Sequence, residues 1–364
     1  MVARGWQVAF ETGTSPQCPI RRPERTLVTS LLITGTIAGI AVGYVFQRSD
    51  LCFHSAWRGV LERRFHLFKI WILGVALASV GLSAIYAGGW WELNEGLGFR
   101  PQGNILGGVV VGVGMVVASS CVSGLFYKLG SGMLGAAVGL GAWFGGDVLA
   151  SRQLIGRDGS LDLRGSVTDL DGGPTIPDVI GVDRFVVSIL FLVVVVGLLA
   201  RSRRATATGV QWSWWIGGVA LGVATTGAWA LAGIGGASFG PSTVGAPASL
   251  ANGGAVNVWL VSFLVALVVG ALIAARRSKT LWVRGESPVR YGQLAVGGLL
   301  LGVGGQIGGG CNLGHGLSGA AQLNVSSWVV VGSIVVGIAG ARAVQTRLTP
   351  PENITEWRVQ AAST

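Results

Sequence analysis

Charge is scarce in this sequence. Only 12% of its 364 residues are Asp, Glu, Lys or Arg, against about 25% in a soluble globular domain. With 51% hydrophobic residues and a mean hydropathy of +0.62, the chain has too little polar surface to stay in water, which excludes a soluble protein. Cysteine is scarce too. Of the four, Cys52, Cys121 and Cys311 stand at the ends of apolar runs, which does not fit the disulfide framework of a secreted domain; they read as free thiols. A phosphate loop is missing, since the glycine clusters lack the GK[ST] ending and follow no strand. ATP-driven transport by this chain alone is not expected, and no cofactor is.

What the sequence has in quantity is long apolar runs. A helix needs roughly 20 residues at about 1.5 Å each to cross a hydrocarbon core near 30 Å thick. Nine runs approach that length, at 27–46, 67–87, 103–120, 132–149, 184–200, 213–233, 255–275, 291–310 and 325–341. The expected fold class is an all-α integral membrane protein of about nine transmembrane helices. Its expected parts are a polar leader (1–26), a first membrane repeat (27–183) with an outer loop (150–183), a second repeat (184–341) and a basic cytoplasmic tail (342–364). The leader holds Cys18, which has no evident role, and leads into the first run without a cleavage site, so that run reads as a retained helix.

Glycine is abundant, at 61 residues. Gly35, Gly39 and Gly43 are spaced four apart, as are Gly108 with Gly112 and Gly298 with Gly302. Small residues at that spacing make a smooth helix face on which backbones approach closely.

The chain also repeats itself. GGVVVGVGMVVASSC at 107–121 aligns without gaps on GGLLLGVGGQIGGGC at 297–311, matching Cys121 to Cys311, and Gly124 falls on Gly314. The net charge of +10 resides between apolar runs, so it reads as an orientation signal rather than a nucleic-acid surface. Assigning the Arg58–Lys69 stretch, Arg201 to Arg204, the 276–290 loop and the C-terminus to the cytoplasm puts most of the 26 basic residues inside and most of the 16 acids outside. Nine spans then place the N-terminus outside and the C-terminus inside, against only Arg21, Arg22 and Arg25. The two cysteine-bearing copies enter the bilayer from opposite sides. That is the pattern of inverted-topology repeats whose broken, re-entrant helices meet at the centre.

Each break in the apolar pattern is polar or glycine-rich: QRSDLCFHSAWRG (47–59), SSCVSGLFYKLGSG (119–132), GGASFGPSTVGAP (235–247) and GGGCNLGHGLSG (308–319). Irregular backbone at membrane depth survives only where protein or a water-filled cavity satisfies it. Its exposed N–H groups and helix N-termini attract anions without fixed charge. Neutral cysteine adds a weak S–H donor and a soft sulfur, suited to releasing a sulfur-rich anion rather than storing it.

The three cysteine-bearing motifs, DLCFHSAWRG, SSCVSGLFYKLGSG and GGGCNLGHGLSG, in this order over nine apolar runs, resemble the YeeE/YedE family of sulfur-compound transporters, whose best-understood members take up thiosulfate. The resemblance covers about residues 30–341. It implies an hourglass-shaped bundle in which one cysteine per motif, here Cys52, Cys121 and Cys311, passes the substrate along by S–H···S contacts. It also implies a small cytoplasmic sulfur carrier resembling the TusA type as a partner. His54, Ser119, Ser120, Ser123, Ser238, Ser242, Gly310, Asn312 and His315 are further candidates to line the path. A metal reading of His54 and His315 with the thiols fails for want of matched Cys-His pairs. Two alternatives stay open: a glycine-lined channel for neutral solutes, and a membrane sulfurtransferase forming a cysteine persulfide. Lys128, Arg58 and Asp147 read as helix ends at the interface, with attraction of an anion toward the cytoplasmic exit as the other reading of Lys128; the tryptophans at run ends read as an interfacial belt, and Arg48 and Asp50 as a pair.

Overall fold

Each of the nine apolar runs lies on a helix. The computed structural model describes residues 24–89, 97–154, 162–171, 173–201, 211–251 and 256–348. Cys18 with its leader, the tail beyond 348 and parts of the 150–183 loop lie outside them. The long helices are α1 (Glu24–Ser49), α3 (His66–Ala87), α4 (Pro101–Ala118), α6 (Gly135–Gln153), α8 (Arg184–Arg201), α9 (Trp214–Gly235), α11 (Val258–Arg277), α12 (Pro288–Gly308) and α13 (Val325–Leu348). Short segments interrupt them: α2 (Phe53–Leu61), α5 (Val122–Gly130), α7 (Ile176–Ile180), α10 (Ala246–Ala251) and one π-helical turn (Gly314–Gly319). Among the described residues there is no sheet, only two isolated bridges.

Among the described residues seven segments are long and apolar enough to cross a membrane: α1 running on into α2, α3, α4 running on into α5, α8, α9, α11 and α13. Glycine-rich α6 and α12 have 19 and 21 residues but not that apolar composition. Their glycines serve contact instead. A Cβ on Gly302 of α12 would come within 2.6 Å of the Asp147 nitrogen in α6, and one on Gly112 of α4 within 2.9 Å of the Gly337 Cα in α13. Across the α4–α12 contact, a Cβ on Gly107 would meet Gly308 Cα at 2.5 Å, and one on Gly304 would meet Val111 N at 2.8 Å. Gly103 lies beside Ile307, and Gly114 beside Leu301, so α4 and α12 run antiparallel. Only glycine permits such backbone proximity, which tightens dispersion contacts where lipid supplies no hydrophobic drive.

The remaining long helices pair in the same manner. α1 packs along α11, and α3 along α9. α1 and α9 meet antiparallel, with Leu27 near Gly236 and Ser49 near Gly217. α8 lies outside, against α3, with Leu190, Val193 and Leu198 about 60% exposed or more, as expected of a helix that faces lipid.

Two helices end at equivalent points of the sequence repeat. Ser119 caps α4 with φ 47°, and Gly309 caps α12 with φ 75°. This left-handed cap turns the chain out of the helix into a break. Asp147, read from sequence as an interface marker, is fully buried and accepts a hydrogen bond from Ala248 N at 3.1 Å. It fastens α10 to α6, a task that needs a buried acceptor rather than an interfacial charge.

The breaks and their buried thiols

α1 ends at Ser49, Asp50 turns with φ 49°, and the chain re-enters as α2 with Cys52 at its N-cap. α4 ends at Ser119 and re-enters as α5, with Cys121 at that N-cap. The two re-entries face each other. Cys52 Sγ lies 3.7 Å from Cys121 Sγ and 3.8 Å from Ser120 Oγ. Cys121 Sγ also meets Ser123 Oγ at 3.3 Å and accepts from Gly124 N at 3.2 Å. Gly124 brings bare backbone against this group, since a Cβ there would stand 2.6 Å from Ser120 Oγ, 2.9 Å from Cys52 Sγ and 3.1 Å from Cys121 Sγ. At the edge of this group Lys128 donates to Ser120 Oγ at 3.2 Å and to the Ser119 carbonyl at 3.5 Å.

Cys311 belongs to the other break. Its sulfur lies 2.7 Å from Thr243 Oγ1 and accepts from Leu313 N at 3.3 Å. Thr243 comes from the 235–247 break, which has no cysteine of its own. Ser242 is buried beside it, and a Cβ on Gly314 would lie 3.1 Å from Ser242 Oγ. All three cysteines are free and buried.

A hydrogen bond also joins the Cys52 break to the Cys311 break. Trp57 in α2 donates its indole N–H to Asn312 Oδ1 at 2.9 Å, while the Asn312 amide points at Met115 Sδ, 3.1 Å away. Trp71 donates to the Gly316 carbonyl at 2.5 Å and stacks edge-on against Trp57, ring centroids 4.6 Å apart. Trp57 therefore lies in the core, 2% exposed, not in an interfacial belt: a buried indole needs an acceptor, and Asn312 supplies it.

His315 has both ring nitrogens engaged, Nε2 with the Gly308 carbonyl at 3.0 Å and Nδ1 with Ser327 Oγ at 2.9 Å. A carbonyl only accepts, so the neutral ring carries its proton on Nε2. This ties the π-helical turn to α12 and α13, and Gly310 packs flat against the ring. His54 is buried in α2. Ser120 and Ser123 sit with the thiols, whereas Ser119 and Ser238 are exposed. Arg48 and Asp50 do not pair: Arg48 lies over the Trp212 ring, and Asp50 accepts from Tyr127 and Gln211. Among the described residues no three of His, Cys, Asp and Glu gather as a metal site.

Thr243, Trp57 and Met115 are contributors that residue-type reasoning passed over. For Thr243 a signal existed: the one break without a thiol was the place to look for a hydroxyl facing one. Arg164 is another, since no cation lies near Cys311 in sequence. From the 150–183 loop it donates to the Gln306 carbonyl at 2.7 Å and to Gln306 Oε1 at 3.1 Å, at the end of α12.

Residues 48–340, which span all four breaks, match the family described as sulphur transport. This chain belongs to the sulphur transport family. Among relatives, it is 31% identical over 332 residues to the thiosulfate transporter TsuA of Spirochaeta thermophila, covering 84% of this chain and 97% of that protein. It is 25% identical over 333 residues to TsuA of Escherichia coli, covering 85% and 93%. A shorter similarity, 29% over 120 residues, links it to the probable transporter YedE of Escherichia coli. As a member of the sulphur transport family the chain is a multi-pass membrane transporter rather than an enzyme, with the three thiols, Asn312 and His315 all inside the matched span.

Proposed function

We propose that this chain carries thiosulfate across the inner membrane, through the breaks where Cys311 and then Cys121 and Cys52 offer S–H contacts. The relatives named as thiosulfate transporters support the substrate. The path rests on one observation above all: two cysteines from separate re-entrant segments hold their sulfurs 3.7 Å apart. The hydroxyls of Ser120 and Ser123 contact that pair, and protonated thiols and hydroxyls are donors weak enough to release a sulfur anion.

In this reading all nine long helices cross the bilayer and the two halves are inverted copies. Its support is a matched pattern of packing. Gly108 and Gly112 of α4 face α13, and their repeat partners Gly298 and Gly302 of α12 face α6. The α1–α11 contact likewise corresponds to α9–α3. Antiparallel packing of the equivalent helices α4 and α12 suits an inversion. Glu62 near Arg342, and Leu134 N on the Arg284 carbonyl, gather the basic segments at one end of the bundle; this end is assigned to the cytoplasm, with the start of α1 outside. A TusA-like sulfur carrier waiting there is carried over from the resemblance. The second repeat (184–341) then supplies the outer thiol and the first (27–183) the inner pair.

The persulfide alternative needs a base beside Cys311. Both nitrogens of His315 are already engaged by Ser327 and Gly308, which favours passage over chemistry. The test is uptake of labelled thiosulfate by cells lacking their own uptake system, expressing wild type or Cys52→Ala, Cys121→Ala or Cys311→Ala. Loss of uptake with normal protein in the membrane is expected. Undiminished uptake by the Cys121→Ala variant would sink the proposal.

A further inference from the structure

Protonated thiols and hydroxyls carry no charge, so by themselves they would treat a hydrosulfide, a neutral thiol and a doubly charged oxyanion much alike. Lys128 breaks that equivalence. Its ammonium is 3.2 Å from Ser120 Oγ, and that oxygen is 3.8 Å from Cys52 Sγ. Among the described residues Lys128 forms no ion pair. Asp50 approaches the same region, but its oxygens are taken by the Tyr127 hydroxyl at 2.9 Å and the Gln211 amide at 3.0 Å. The same break also carries Cys52 itself, Arg48 over the Trp212 ring, Arg58 paired with Glu62, and His54, buried within α2. The ammonium is thus held beside the thiols by a hydroxyl and a carbonyl, with Asp50 nearby but no carboxylate in salt-bridge contact with it among the described residues. The bare Cα of Gly124 lets Ser120, Cys52 and Cys121 close on the backbone at a point where no side chain would fit.

We propose that Lys128 is the charge-selecting residue of the path, holding the oxyanion end of a sulfur dianion while the terminal sulfur lies against Cys52 and Cys121. This deepens the thiosulfate reading and rests on it. A purely structural Lys128 would only cap the end of α4 through the Ser119 carbonyl. The two roles separate in kinetics. A cap sets stability and the amount of folded protein; a charge selector sets affinity, in a manner that salt screens.

The experiment is equilibrium exchange of labelled thiosulfate in proteoliposomes, equal concentrations on both sides, which reads affinity whichever way the protein is inserted. For Lys128→Gln the half-saturating concentration is expected to rise about tenfold or more, with maximal exchange and melting temperature close to wild type; Lys128→Arg should restore it. Raising ionic strength should weaken wild type and leave Lys128→Gln nearly unchanged. An unaltered half-saturating concentration in Lys128→Gln, or a loss of melting temperature and maximal rate without it, would overturn the assignment alone. A wild type that exchanges no thiosulfate would overturn the transport reading and this assignment together.

Discussion

Cys52 and Cys121 are 69 residues apart in sequence and their sulfurs are 3.7 Å apart in space. Each begins a nine-residue helix that follows a break, so the contact is between two helix starts rather than two helix faces. Small displacements of either break therefore reach the thiols directly.

Gly124→Ala tests the close approach of bare backbone to the two thiols. Its methyl would stand 2.9 Å from Cys52 Sγ and 2.6 Å from Ser120 Oγ, closer than side chains pack. Alanine favours the helix by about 1 kcal/mol over glycine, so the variant should fold and reach the membrane while thiosulfate uptake falls at least tenfold. Uptake at the wild-type rate would show that the substrate does not pass this point.

Thr243→Val keeps the shape and removes the hydroxyl 2.7 Å from Cys311 Sγ. The expected loss of stability is about 0.5–1.5 kcal/mol, that of one buried hydrogen bond, read as a lower melting temperature in detergent. Thr243→Ser should keep both stability and uptake. Equal melting of the valine variant and wild type would dismiss the contact.

Trp57 and Asn312 join the two halves, and a double-mutant cycle measures how strongly. Trp57→Phe and Asn312→Ala should each cost about 1–3 kcal/mol, because each leaves a buried polar partner unmet. The double variant should cost less than their sum by about 1 kcal/mol. Strict additivity would mean the hydrogen bond contributes nothing.

His315→Leu should destabilise by about 1–3 kcal/mol, through the Gly308 carbonyl and Ser327 hydroxyl left without a partner in the core. Chelators should leave wild-type uptake unchanged. A chelator-sensitive wild type would instead make His315 a metal ligand.

Ser119→Gly should stabilise the protein by about 1 kcal/mol, since the αL cap strains a side chain and glycine adopts it freely. Gly309→Ala, at the equivalent cap of α12, should destabilise by a similar amount. Thermal melts of both variants decide this, and shifts of the same sign would contradict it.

Much of the architecture was legible in the residues. Apolar runs of membrane length located every long helix, because a run that must satisfy its own backbone in lipid has no alternative to a helix. The spacing of Gly108, Gly112, Gly298 and Gly302 located the closest helix contacts, because only bare backbone allows them. Cys52, Cys121 and Cys311 stood out by interrupting those runs. Less was legible about individual polar residues. Trp57 sits at the end of an apolar stretch, where an interfacial tryptophan would also sit, and nothing local separates the two. Asp147 looks like a helix-end charge until α10 is folded against it.

The sequence by itself determined that this is a helical membrane protein, where its helices break, and which thiols stand at the breaks, because bilayer thickness and backbone satisfaction are one-dimensional constraints written along the chain. Tertiary structure alone decided which break faces which. The pairing of Cys52 with Cys121, of Cys311 with Thr243, of Trp57 with Asn312, and the place of Lys128 beside two thiols all depend on how far one helix turns and slides against another. That register is set by close packing of glycine faces over the whole bundle, which no local stretch of sequence contains.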